Sequence, residues 1–208
     1  MRDAHICEHC NLHLPLGSRH CPSCRQPLVL GSRGRIAIWR LGNIRDGVLG
    51  PLAKGLREAF RREVVIQPTF VDERPSLRPD WPGRSASVFL AQVLRRHRPG
   101  TWANLGVTED NIVPSSAYNF LFGLAYMGSP AAIVSLHEMG TDKPSGEVLS
   151  RRALNIAIHE LGHTRGLDHH AYEDRIDCVM VGDEAMDSRE TIDSGTARFC
   201  AACRRAMQ

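Results

Sequence analysis

The chain has 208 residues, 26 Lys+Arg against 23 Asp+Glu, and seven cysteines, an odd number that cannot close entirely into intrachain disulfides. With 42% hydrophobic and 24% charged residues it has room for one good core and a small appendage, which excludes disordered and collagen-like classes. No apolar run reaches the ~18 residues of a membrane span and Met1 to Cys7 holds no signal-like stretch, so no membrane association and a cytoplasmic, thiol-reducing location are expected.

The first 34 residues are rich in Cys, His, Arg and Pro and too poor in apolar residues to form a core unaided. Arg2, Arg19, Arg25, Arg33 and Arg35 face only Asp3 and Glu8, so the whole net charge of +3 falls within the first 35 residues. A neutral body argues against broad nucleic-acid coating.

From Arg35 the texture changes, and a domain boundary is placed there, giving residues 1–34 and 35–208. Ile36 to Leu41 read as a buried strand bounded by Gly34 and Gly42. Val48, Leu49, Leu52, Leu56 and Phe60 recur at helical spacing up to Glu63, and Val64 to Ile66 read as a second strand. Pro68 to Arg84 is a loop by composition. Ser85 to His97 is an amphipathic helix stopped by Pro99 and Gly100. Three short apolar runs follow, Trp102 to Val107, Phe120 to Tyr126 and Ala131 to Leu136, then a turn-rich stretch from Gly140 to Gly146. A last helix runs roughly from Glu147 to Arg165. This order predicts an α/β (α+β) domain with a mixed sheet and helices packed on it.

That last helix carries His159, Glu160, His163, Gly166 and His169, the pattern HExxHxxGxxH. Residues four apart share a helix face, so His159 and His163 can direct both imidazoles at one zinc ion. Gly166 tolerates the left-handed conformation that ends the helix, and His169 can return as third ligand, leaving one position open for water. Zinc lowers the pKa of bound water from ~15.7 toward ~7. Glu160, beside the first ligand, is placed as general base, and zinc-assisted amide hydrolysis is the predicted reaction. From this composition a bare HExxH arises by chance roughly once in 40 such chains, and the further Gly and His reduce that to roughly one in ten thousand.

With Cys178, Met180, Cys200 and Cys203 downstream, and "LGVTEDNIVPSSAYNFLFGLAY" and "AAIVSL" upstream, the chain resembles the archaemetzincin family of metzincin metallopeptidases. The resemblance covers about Arg35 to Cys203. It implies a mixed, twisted metzincin sheet with a long active-site helix, His159, His163 and His169 as zinc ligands, Glu160 as base, and Met180 as the residue of the Met-turn beneath the zinc.

The family pattern also has a structural zinc held by four cysteines, the first directly after the third catalytic His. Here that position is His170, and the stretch to Cys178 is about three residues longer than usual. His170, Cys178, Cys200 and Cys203 are therefore taken as the second zinc site, an ordinary Cys₃His set; the alternatives are a nearby Asp or no fourth ligand. Cys7, Cys10, Cys21 and Cys24 form CxxC, ten residues, CxxC, which reads as a zinc ribbon, with a redox dithiol as the alternative. Three zinc ions per chain follow. For the ribbon, protein docking ranks first, a structural cap second, and nucleic acid third, because aromatic residues for base stacking are lacking. The function expected is peptide-bond hydrolysis in a peptide or protein substrate; the alternative is a zinc-stabilised peptide- or protein-binding module with little turnover.

Overall fold

A computed structural model describes residues 34–68, 83–114, 120–171, 177–181 and 188–207, together with Ser23 and the backbone of Ala4–Ile6 and His13–Pro15. Those two N-terminal segments are strands β1 and β2, paired antiparallel. Cys7, Cys10, Cys21 and Cys24 lie outside the described residues.

The body is built on a five-stranded sheet in the order β4-β3-β6-β9-β8, with β3 at Arg35–Leu41, β4 at Val64–Ile66, β6 at Thr101–Thr108, β8 at Gly123–Ala125 and β9 at Ala131–Ser135. Four neighbours run parallel and β8 alone is antiparallel, on the edge beside β9. Parallel strands are covered on both faces, and β9 is accordingly buried along its whole length. The period of two sorts its side chains between two cores. Ala132 and Val134 join Ile36, Ile38, Leu105 and Val107 beneath helices α1, Leu49–Phe60, and α3, Gly146–His163. Ala131 and Ile133 point the other way, onto Phe89, Leu90 and Val93 of α2, Ala86–Leu94. The result is a mixed sheet between helices, as the order of elements predicts.

The helices fall where the apolar periodicity places them but end earlier. α1 stops when Arg61 turns left-handed at φ 51°. α2 gives way after Leu94 to the turn that precedes Pro99. Of the apolar run Phe120 to Tyr126 only the middle is strand, because Leu121 bridges to Ile112 instead. That bridge belongs to an unanticipated two-stranded ribbon, β5 at Arg84–Ser85 with β7 at Ile112–Val113. Two six-residue helices near the C-terminus, α4 at Arg189–Ser194 and α5 at Ala201–Ala206, were not anticipated either. Each is too short to show a helical period.

α3 is held at both ends. Ser145 caps its N-terminus, accepting from the Val148 amide at 3.3 Å. Midway, the buried Arg152 guanidinium makes paired hydrogen bonds to Asp142 and Asp193 and donates to the Met139 carbonyl, tying α3 to the turn before it and to α4. At the C-terminus Leu167 N–H bonds back to Gly162 O and Gly166 N–H to His163 O, with Gly166 at φ +78°. This is a Schellman closure, which requires a residue at ease in the left-handed region.

Candidate metal centre and active site

The Schellman turn reverses the chain after α3, so that His169 comes back over the last helical turn. The three Nε2 atoms then converge: His163 lies 3.0 Å from His159 and 3.0 Å from His169, and His169 lies 3.1 Å from His159. Two of the rings are fixed from behind. His159 Nδ1–H donates to Val179 O at 2.8 Å and His163 Nδ1–H to Leu167 O at 2.8 Å. A carbonyl can only accept, so each Nδ1 carries the hydrogen and each Nε2 presents its lone pair to the centre. Burial lowers the His159 pKa to about 3, with the neighbouring His163 adding to the shift, and burial also lowers that of His163. Converging lone pairs on neutral imidazoles repel each other unless a cation sits among them, and this donor set suits zinc.

Glu160 is buried on the same helix, one residue from the first of these histidines, and receives a hydrogen bond from the Ala125 backbone on β8. Burial raises its carboxyl to about 8, against the pull of that hydrogen bond. A cation nearby would lower it again. Gly123, two residues before Ala125, leaves the space that Glu160 fills: a Cβ there would stand 2.6 Å from Glu160 Oε1.

Met180 is fully buried, and its Sδ would lie 2.6 Å from a Cβ placed on Gly162. The thioether thus packs against Gly162, on the α3 turn that separates His159 from His163.

A second cluster forms beside this one. His170 Nε2 lies 3.1 Å from Cys203 Sγ and 3.4 Å from Cys200 Sγ, and the Cys178 and Cys203 sulfurs are 3.8 Å apart. All four donor atoms fall within 4.8 Å of one another. The sulfur separation rules out a Cys178 to Cys203 disulfide, whose S–S bond is ~2.05 Å. Backbone amides donate to the sulfurs, Cys200 N–H to Cys178 and Cys203 N–H to Cys200. The Cys203 amide lowers the Cys200 thiol pKa, while burial raises that of Cys203. A thiolate set completed by one imidazole suits a structural zinc.

Three contributors to these sites were not read from the sequence. The Val179 and Leu167 carbonyls act through the backbone, which leaves no mark on residue identity. Gly123 acts by lacking a side chain, and one glycine in a short apolar run is indistinguishable from a turn residue.

A mixed sheet with one antiparallel edge strand, an HExxHxxGxxH helix closed by Gly166, and a buried methionine packed against that helix define a metzincin-type scaffold. Residues 103–208 match the model of peptidase family M54. The archaemetzincin of Methanocaldococcus jannaschii is 35% identical over 179 residues, 84% of this chain and 93% of that protein. The archaemetzincin of Pyrococcus furiosus is 44% identical over 71 residues, 32% of this chain but only 36% of that relative, so this match spans about a third of its length. The crystal structure of the Archaeoglobus fulgidus archaemetzincin, complexed with malonate, superimposes with a TM-score of 0.66 at 27% identity, covering 83% of this chain and 99% of that one. The chain belongs to peptidase family M54, the archaemetzincins.

Proposed function

We propose that this chain is a zinc-dependent metallopeptidase hydrolysing peptide bonds in peptides or proteins. His159, His163 and His169 hold the catalytic ion, and Glu160 is the general base. The observation that carries the reading is the convergence of three Nε2 atoms within 3.1 Å while two of the Nδ1 atoms are committed to backbone carbonyls. When bound, zinc supplies an acidified water and a Lewis acid for the scissile carbonyl.

The remaining work falls to the chain's own groups. The Glu160 carboxylate takes up the proton released as water attacks and delivers it to the departing amine. The Ala125 backbone fixes the carboxylate's direction. Val179 and Leu167 fix the imidazoles in the tautomer that ligates.

A second, structural zinc is assigned to His170, Cys178, Cys200 and Cys203, and a third to Cys7, Cys10, Cys21 and Cys24 at the N-terminus. Met180 supports the first site by packing. As zinc-holding thiolates rather than disulfides, the three described cysteines fit the reducing, cytoplasmic setting proposed for the chain. Among the described residues no helix is long and apolar enough to cross a membrane. The N-terminal segment is assigned as a docking module for a protein partner.

Zinc-loaded protein incubated with a diverse peptide library, with products identified by mass spectrometry, tests the activity. Cleavage at defined bonds that Glu160→Ala abolishes is the predicted result. Peptide binding without product over long incubation contradicts it.

A further inference from the structure

Three consecutive residues join the two clusters. Cys178 contributes its sulfur to the second cluster, Val179 accepts from His159 in the first, and Met180 packs beneath the helix that carries His159 and His163. The anchors of this turn come from the second cluster and its immediate neighbours. His170 N–H donates to Met180 O at 2.7 Å, Val179 N–H to Arg198 O at 2.8 Å, and Cys200 N–H to Cys178 Sγ at 3.2 Å. Val181 N–H closes the turn onto Cys178 O at 3.2 Å.

We infer that the Cys178–Val181 turn couples the two metal clusters: filling the Cys₃His cluster holds the Val179 carbonyl where it orients His159, and so raises the metal affinity of the histidine site. The inference rests on the proposed zinc reading of both clusters. Val179 is then a positioning residue that acts through its backbone, and Cys178 acts on the first site through it.

An imidazole donating from Nδ1 to a carbonyl is fixed in tautomer and in ring angle, and loss of such a partner typically costs ~10–100-fold in metal affinity. Without a cation, the sulfurs of Cys178, Cys200 and Cys203 and the His170 imidazole have no common partner, and their packing at 3.1 to 3.8 Å loses its cause. The segment released first is the turn bearing Cys178, because three of its anchors belong to that cluster's own neighbourhood. His159 is then left with a mobile acceptor.

The test uses full-length protein loaded with cadmium-113, whose NMR shift separates sulfur-rich sites from nitrogen- and oxygen-rich ones, titrated with a chelator. In Cys200→Ser the histidine-site resonance should be emptied at ~10–100-fold lower chelator than in wild type. In His170→Cys, which keeps four donors, it should stay within about twofold of wild type. If Cys200→Ser does not fold, His170→Ala is read in the same way, with His170→Cys as its control. Wild-type affinity at the histidine site in either cluster-breaking variant overturns the coupling. So does a loss shared by His170→Cys, since it would trace to the backbone at residue 170. Absence of any histidine-site resonance in wild type instead overturns the zinc reading itself.

Discussion

Gly123 on the edge strand and Glu160 on the active-site helix approach so closely that no methyl group fits between them: a Cβ on Gly123 would lie 2.6 Å from Oε1 and 2.7 Å from Cγ of Glu160. The carboxylate is therefore placed by a missing side chain as much as by the Ala125 backbone hydrogen bond. Gly123→Ala should displace the base by a few tenths of an ångström or more and lower kcat by about 100-fold. KM and zinc content should change little. Steady-state kinetics alongside metal analysis check this, and an unchanged kcat would remove Gly123 from the account.

A related contact supports the ligands from below. A Cβ on Gly162 would meet Met180 Sδ at 2.6 Å and Phe199 Cε1 at 3.1 Å. Gly162→Ala overpacks this layer, a change that typically costs ~1–3 kcal/mol. For a protein of this size that corresponds to a Tm lower by roughly 3–10 °C. Gly162→Ala combined with Met180→Ala, which clears the space, should recover part of the loss in a thermal melt.

Arg152 is the buried centre of an ion-pair network, and its hydrogen bonds hold the Asp142 and Asp193 carboxyls below the usual carboxylate range. Arg152→Met keeps the buried length but abandons Met139 O and both carboxylates. The carboxylates are exposed enough to rehydrate, so Tm should fall by roughly 4–10 °C rather than the full loss of a closed buried pair. Zinc content at 25 °C should stay that of wild type, because Arg152 lies about two helical turns before His159 and its partners Asp142, Asp193 and Met139 belong to neither cluster.

The metal-free protein should titrate in two opposed arms. His159 is held at about 3 against an ordinary 6.5, so between these values the unfolded chain binds a proton that the fold refuses. Stability from this arm is complete above 6.5 and is lost as pH falls toward 3, with His163 acting in the same direction. Glu160 is raised to about 8 from 4.5, so between these values the fold holds a proton that the unfolded chain has released. Stability from this second arm is complete below 4.5 and is lost as pH rises toward 8. Glu160→Gln removes the second arm alone. Urea midpoints of metal-free protein should show the variant above wild type at pH 8, with the gap closing by pH 4.5; the variant should weaken steadily below pH 6, while in wild type the Glu160 arm offsets part of that loss down to pH 4.5.

The parts legible in the sequence are those written in side-chain identity at fixed spacing. The helices announce themselves by apolar periodicity, His159, His163 and His169 by the HExxHxxGxxH pattern, and the Gly166 closure by the one residue that takes φ +78° without strain. His170 is legible only as a neighbour of His169, and its approach to Cys178, Cys200 and Cys203 is given by the fold. Strands of two or three residues, such as β5, β7 and β8, are shorter than the period that would reveal them. The coupling through Val179 is invisible for a different reason, because the group that matters is a carbonyl that every residue possesses.

Zinc-dependent turnover at the histidine site is the property that most directly separates a peptidase from a binding module. Metal-stripped protein should regain peptide cleavage in proportion to zinc filling the His159, His163 and His169 site, and Glu160→Gln loaded to the same zinc content should cleave at least ~100-fold more slowly. Turnover that persists undiminished in fully loaded Glu160→Gln, or that does not follow zinc occupancy of the histidine site, would contradict it.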